Sequence, residues 1–224
     1  MKMFTKIFAG VFGVSAALAF GTTSTHANLL VNSGFENAGG FTANPITVST
    51  VNQGWANSFG PNSSVQSSAY AESGSYSLAV TEGAASWNPA GTYQVVSGIT
   101  VGQTYQLTVD VLAPAAMTDP SWSTPIDVQL QFFDATLVNL TTTETGWSAI
   151  GPVGQWTQYS VTATAPANAV YAAPYLMMME SGAQTASDYL YFDNANLVAV
   201  PEPATVALLG MGLALPLYVI RRRK

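Results

Sequence analysis

The chain contains no cysteine and only one histidine, and its six Lys and Arg residues stand at its two ends. Lys2 and Lys6 precede the first apolar stretch, and Arg221, Arg222, Arg223 and Lys224 close the chain; His26 also lies near the front. Residues 28–199 therefore hold no Lys, Arg, His or Cys. This absence excludes a good deal. Nucleophilic serine or cysteine catalysis needs a base of the His or Lys type, and none is present. Catalytic zinc sites draw on His or Cys. A P-loop needs its lysine. Nucleic acid would be repelled, because no cation meets its phosphates. Neither salt bridges nor disulfides can hold the fold.

What the body does have is acid. Of the twelve Asp and Glu residues, eleven fall within it: Glu36, Glu72, Glu82, Asp110, Asp119, Asp127, Asp134, Glu144, Glu180, Asp188 and Asp193. Carboxylate chemistry and hard-metal binding remain open. Carboxylates with backbone carbonyls are the ligand set of calcium.

The two ends read as tags. Lys2 and Lys6 form a short basic region, Ile7 to Phe20 is uncharged and mostly apolar, and Thr25 and Ala27 occupy the −3 and −1 positions of a cleavage site. Residues 1–27 are read as a secretory signal peptide, with Ala17-Leu-Ala19 as an earlier possible site and a permanent anchor as the alternative. Residues 204–220 carry no charge and are followed at once by the basic residues 221–224. Such a segment is slightly short for a bilayer core of about 30 Å, yet its cationic end would stay cytoplasmic. The alternative is a buried core helix with a solvated basic end. Val200-Pro-Glu-Pro-Ala-Thr, the Leu-Leu-Gly-Met-Gly-Leu run and the terminal basic cluster together resemble a PEP-CTERM sorting signal, residues 200–224. That resemblance implies a Gram-negative bacterium, a temporary hold in the inner membrane, and cutting by an exosortase-type protease. Delivery to the cell surface or a polysaccharide matrix would follow. The residues read by that machinery would be Pro201, Glu202 and Pro203, with Arg221, Arg222 and Arg223 behind them.

Between the tags lie short alternating runs rich in Thr, Val, Tyr and Ser, separated by turn residues. Strands are expected over 46–51, 64–70, 76–81, 92–97, 104–112, 126–133, 157–164, 169–179 and 189–198. No amphipathic helix of useful length interrupts them. The pattern predicts an all-β domain, an antiparallel β-sandwich of the jelly-roll kind, over residues 28–199. In 104–112, Tyr105, Leu107, Val109 and Val111 share one face, and Gln106, Thr108 and Asp110 the other. In 126–133, Val128, Leu130 and Phe132 share a face, opposite Asp127, Gln129, Gln131 and Phe133. The apolar faces should form the core. The polar faces are either ordinary wet surface or a sugar-binding face.

Five segments carry a further resemblance: Asn28-Leu-Leu-Val-Asn-Ser-Gly-Phe-Glu36, Glu72-Ser-Gly-Ser-Tyr-Ser-Leu-Ala-Val80, Tyr93 to Leu107, Trp156-Thr-Gln-Tyr-Ser-Val161, and Tyr191-Phe-Asp-Asn-Ala-Asn-Leu197. In this order and spacing they resemble the jelly-roll carbohydrate-binding modules found beside bacterial xylanases and cellulases, within the galactose-binding-like superfamily. The resemblance implies a structural calcium tying the first strand to the last. Its ligands would be the Gly34 carbonyl, the Glu36 and Glu72 carboxylates, the Ser75 carbonyl and Asp193. The alternative leaves Glu36 and Glu72 as solvated turn residues. Among the aromatics, Trp55 and Trp156 are read as core, and Trp87 and Trp122 as the better sugar contacts, with Gln129, Gln131 and Asp110 as polar partners. Tyr171, Tyr175 and Met177 could be core or groove.

Three functions compete. One is a non-catalytic surface protein that binds extracellular polysaccharide. Another is a structural matrix protein without sugar binding. The third is a carboxylate glycosidase or lyase drawing its pair from Asp110, Asp127 and Glu180, which needs only two acids about 5 to 10 Å apart.

Overall fold

A computed structural model of the chain describes residues 27–37, 42–43, 47–58, 64–81, 90–115, 125–146, 148–149, 151–178 and 189–201. All of them fall within one compact unit, Thr25–Glu202. Both end tags beyond those residues, including the 204–220 segment, lie outside the described part. Among the described residues no helix is long and apolar enough to cross a membrane.

The strands are β1 (Thr42–Ala43), β2 (Ala56–Ser58), β3 (Ser64–Ser67), β4 (Ser77–Val80), β5 (Ala90–Tyr93), β6 (Thr104–Leu112), β7 (Ile126–Phe133), β8 (Asn139–Glu144), β9 (Thr157–Thr164), β10 (Tyr171–Met178) and β11 (Leu190–Val200). They form two sheets. Sheet A has the order β1-β2-β5-β10-β7-β8, and sheet B the order β3-β4-β11-β6-β9. Apart from the parallel β1–β2 pair, all pairing is antiparallel. The expected β-sandwich is what the chain forms.

Alternation decides which residues meet between the sheets. Tyr105, Leu107, Val109 and Val111 of β6 pack with Val128, Leu130 and Phe132 of β7 in one core, joined by Leu176 of β10 and Phe192 of β11. Burying a side chain of this size is worth about 1.5–3 kcal/mol. With no ion pair available to the body, this core carries the fold. Trp55 belongs to it, tilted against Phe35 with ring centroids 5.1 Å apart.

The front of the body is sewn into the sandwich by amides. The Leu29 N–H donates to the Leu197 carbonyl at 2.9 Å. Asn28 Oδ1 accepts from the Leu197 N–H at 2.9 Å, while its Nδ2 donates to the Ala195 carbonyl at 2.9 Å. Gln94, fully buried, mimics a strand partner: Oε1 accepts from the Val31 N–H at 2.7 Å and Nε2 donates to the Val31 carbonyl at 2.9 Å. A buried amide is tolerated because both its ends are satisfied.

Some expectations fail locally. Of the strand expected at 46–51, the described residues 47–51 form none, and Val48–Thr50 makes a single 3₁₀ turn. Thr50 explains it: its hydroxyl accepts from the Thr47 N–H and donates to the Thr47 carbonyl, a local bond that competes with strand pairing. Strands β1, β2 and β8 were not expected. Trp156 is half-buried, and it packs with Ala79, Leu112 and Tyr191 outside the inter-sheet core that was expected for it.

Candidate functional site

Two features on the body combine acids with a built environment. The first is a knot at the end of the sandwich where the front segment meets β11. Asn32 and Phe35 have φ of 51° and 58°, and Asn194 has 51°. A fully buried Phe in the left-handed region is strained, and such strain persists only where the surroundings over-determine it. The turn it makes delivers Glu36 to the 72–76 loop. Glu36 Oε1 accepts from the N–H groups of Ser75 and Tyr76, both at 3.0 Å. Asp193, with no exposed surface, accepts from the N–H of Glu72 at 2.9 Å and Ser73 at 3.0 Å through Oδ2, and from Asn194 at 2.7 Å through Oδ1. Burial pushes the Asp193 carboxyl above its ordinary value, and the Glu36 charge adds to the push; the N–H groups of Ser73, Asn194 and Glu72 offset part of it.

Gly74 is the residue this knot requires. Its φ is +66°, and a Cβ there would stand 2.2 Å from Glu36 Oε1. Gly34 also belongs to the knot, since a Cβ on it would lie 3.9 Å from Asp193 Oδ1. Of the five residues implied for calcium, the structure thus gathers Gly34, Glu36 and Asp193. Glu72 is exposed and meets Asp193 through its N–H, and Ser75 meets Glu36 through its N–H. Among the described residues no three acids converge as a metal group. The chemistry of the donors still fits a hard cation. Two carboxylates and a carbonyl-bearing turn meet without a positive side chain, and Glu36 lies at the surface, where an ion can enter.

The second feature is the outer face of sheet A. Cross-strand register sets Ala56, Tyr93, Tyr175, Gln129 and Glu144 in one row over five strands. The next row holds Gly91, Met177 and Asp127, and on the other side Ala173, Gln131 and Thr142. Tyr93 and Tyr175 are stacked at 5.2 Å. Burial raises the pKa of both phenols. Beside them runs a chain of amides and acids. Gln129 Nε2 donates to Asp127 Oδ2 at 2.7 Å and to Glu144 Oε2 at 2.9 Å. Gln131 Nε2 donates to Gln129 Oε1 at 2.7 Å, and Asn139 Nδ2 to Gln131 Oε1 at 2.7 Å.

Asp127 stands out in this chain. Its residue is 1% exposed, and its Oδ1 makes no hydrogen bond. Burial raises its pKa and the charge of Glu144 adds to that, against the lowering pull of Gln129 and Thr145. An unpaired buried oxygen costs about 1–3 kcal/mol, so its presence asks for a reason.

This arrangement answers several expectations. Gln129 and Gln131 do share a face with aromatics. Tyr175 and Met177 lie on that outer face and not in the inter-sheet core, and Tyr171 packs at its edge. Asp110 is not with them. It sits on the outer face of sheet B, bonded to Asn194 Nδ2 at 3.0 Å and Gln158 Nε2 at 3.2 Å. Successive alternation placed its polar face correctly but gave no sign that β6 and β7 belong to different sheets. Asp110 and Asp127 therefore cannot form a catalytic pair. Trp87, Trp122 and Glu180 lie outside the described residues. Sequence reasoning missed Tyr93, Glu144 and the special position of Asp127. The Thr141-Thr-Thr143 run before Glu144 was the signal for β8, since β-branched runs favour strands.

Known proteins bear on the fold that carries both features. Residues 27–181 match the carbohydrate-binding domain family, so the chain belongs to that family. Residues 199–224 match the PEP-CTERM protein-sorting motif. No curated protein matches. Among solved structures, the enzymatically active domain of tailspike protein 4 from bacteriophage CBA120 is similar at a TM-score of 0.53 and 14% identity, covering 77% of this chain. This chain spans only 21% of that tailspike. The CBM22-1–CBM22-2 tandem domain of Xyn10C from Paenibacillus barcinonensis is similar at a TM-score of 0.50 and 15% identity, covering 80% of this chain and 47% of that one. At such identities these likenesses speak for the shared fold. The chain thus joins a body of the carbohydrate-binding domain family to a protein-sorting motif.

Proposed function

We propose that this is a non-catalytic surface protein that holds extracellular polysaccharide along the outer face of sheet A. The observation that carries the reading is the row Tyr93–Tyr175–Gln129–Glu144, in which stacked rings adjoin amide and carboxylate groups. The rings of Tyr93 and Tyr175 are buried and give the face an apolar floor, while the half-buried Gln129 and exposed Glu144 can pair with sugar hydroxyls. In this reading an exosortase-type protease cuts near Pro201, Glu202 and Pro203, after a transient stay in the inner membrane of a Gram-negative bacterium. The protein then passes to the surface or the matrix.

Calcium belongs to the same reading as a scaffold ion. Glu36, Asp193 and the Gly34 carbonyl would hold it, and it would supply the positive charge the body lacks. Glu72 would then serve through its N–H, as it serves Asp193.

The test is affinity electrophoresis of the purified exported protein through gels containing different polysaccharides. Selective retardation on one polymer supports the reading. No retardation on any polymer, the host's own matrix included, points to a structural matrix protein. A second reading has one observation in its favour: Gln129 bridges Asp127 and Glu144, so two carboxylates do share one face. Shortening of a polymer during the run, lost in Glu144→Gln, would favour that pair as a hydrolytic one.

A further inference from the structure

Among the described residues, only on the outer face of sheet A do two acids share a face with stacked aromatics. Asp127 and Glu144 are joined there through one amide nitrogen, the Nε2 of Gln129. That amide donates to both and is neutral, so neither charge is balanced. Asp127 keeps Oδ1 buried and unpaired, and the Glu144 charge acts on it unfavourably. Glu144 itself is exposed, so the pair is approached from solvent on its side. Tyr175 stands beside Gln129 in the same row and Met177 beside Asp127, with Tyr93 next to Tyr175. No Lys, Arg or His exists in residues 28–199 to supply a counter-charge.

We infer that this face selects a polysaccharide bearing free amino groups. The inference rests on the reading of sheet A as a polysaccharide-binding face and names the class of polymer. An ammonium group is the ligand group that completes the pair. It brings three donors and one positive charge, it can bond the exposed Glu144, and its charge offsets that of the buried Asp127 held to the same amide. An N-acetyl group on the same carbon brings one donor and no charge. A uronate brings a third negative charge and is repelled, since like charges in one site disfavour each other. The face therefore discriminates by charge as well as by shape, and it does so partly by repulsion.

The purified exported protein, titrated by calorimetry with a glucosamine tetramer, an N-acetylglucosamine tetramer and a galacturonate tetramer, tests this. The glucosamine tetramer is expected to bind at least tenfold more tightly than its acetylated counterpart, with no binding of the galacturonate. Glu144→Gln, at an exposed position, removes most of that preference, and Asp127→Asn does the same if it folds. Asp134→Asn, a half-buried acid in the turn between β7 and β8, leaves it unchanged. Equal or tighter binding of the acetylated tetramer overturns the inference and leaves polysaccharide binding standing. An equal loss in Asp134→Asn also overturns it, because the attraction is then diffuse. If no saccharide and no polymer binds, the inference and the reading beneath it both fail.

Discussion

Replacing Gly74 by alanine tests whether a single carboxylate organises the 72–76 loop. Two costs follow from the geometry. The backbone at φ +66° is left-handed, and an L side chain there costs about 1 kcal/mol. The new methyl group would also stand 2.2 Å from Glu36 Oε1, so the carboxylate must leave the N–H groups of Ser75 and Tyr76. Bonds to a charged acceptor are worth more than neutral ones, but Glu36 is exposed and water replaces part of the loss. Roughly 1 kcal/mol is a fair figure for that step, giving about 2 kcal/mol in all. For a domain of this size, that lowers Tm by about 4–8 °C. The assay is thermal unfolding in a two-by-two cycle with Glu36→Ala. Where Glu36 is already alanine the collision is gone, and Gly74→Ala should cost only the backbone strain, about half as much. An equal Tm loss in both backgrounds would refute the claim that Gly74 is required by Glu36.

Other outcomes follow from the same structure. Asp193 and Asp127 have folded pKa values above the ordinary 3.8, so in acid the folded state binds more protons than the unfolded one. Their share of stability should rise as pH falls toward 3.8 and fall as pH rises, with Asp134, lowered by the hydroxyl of Thr136 and the Val138 N–H, opposing them below that value. Urea midpoints between pH 4 and 7 measure this, and Asp127→Asn should flatten the slope. If calcium occupies the knot, a hundredfold excess over Kd adds about 2.7 kcal/mol, and chelator should lower Tm accordingly; an unchanged Tm in chelator would leave the knot to its N–H donors alone. Tyr175→Ala should abolish retardation on polysaccharide while the circular dichroism of the fold persists. Tyr70→Ala should leave retardation intact, because Tyr70, although 44% exposed, packs edge-on to Tyr191 over sheet B.

The long strands were legible because their alternation is clean. Strands β6, β7 and β9 run over the spans expected for them, and the inward faces of β6 and β7 are the ones their pattern marks. The short strand β2 carries only Ala-Asn-Ser, too little for a period to show. What alternation cannot reveal is which sheet a strand joins. That is why Asp110 looked equivalent to Gln129 although the two lie on opposite outer faces. The nearness of Glu36 and Asp193 to one loop was expected only as what the family resemblance implies. The role of backbone N–H groups in holding both carboxylates was not, because a main-chain donor leaves no mark in the sequence.

Strand β11 lies in the middle of sheet B, paired with β4 on one side and along most of its length with β6 on the other. The residues that follow Val200 continue directly from it. A pull applied through those residues is delivered along the strand, in shear. Its hydrogen bonds to β6 then have to fail together, whereas a strand peeled from a sheet edge loses them one at a time. Resistance to such a pull is set by the rate of unfolding and not by equilibrium stability.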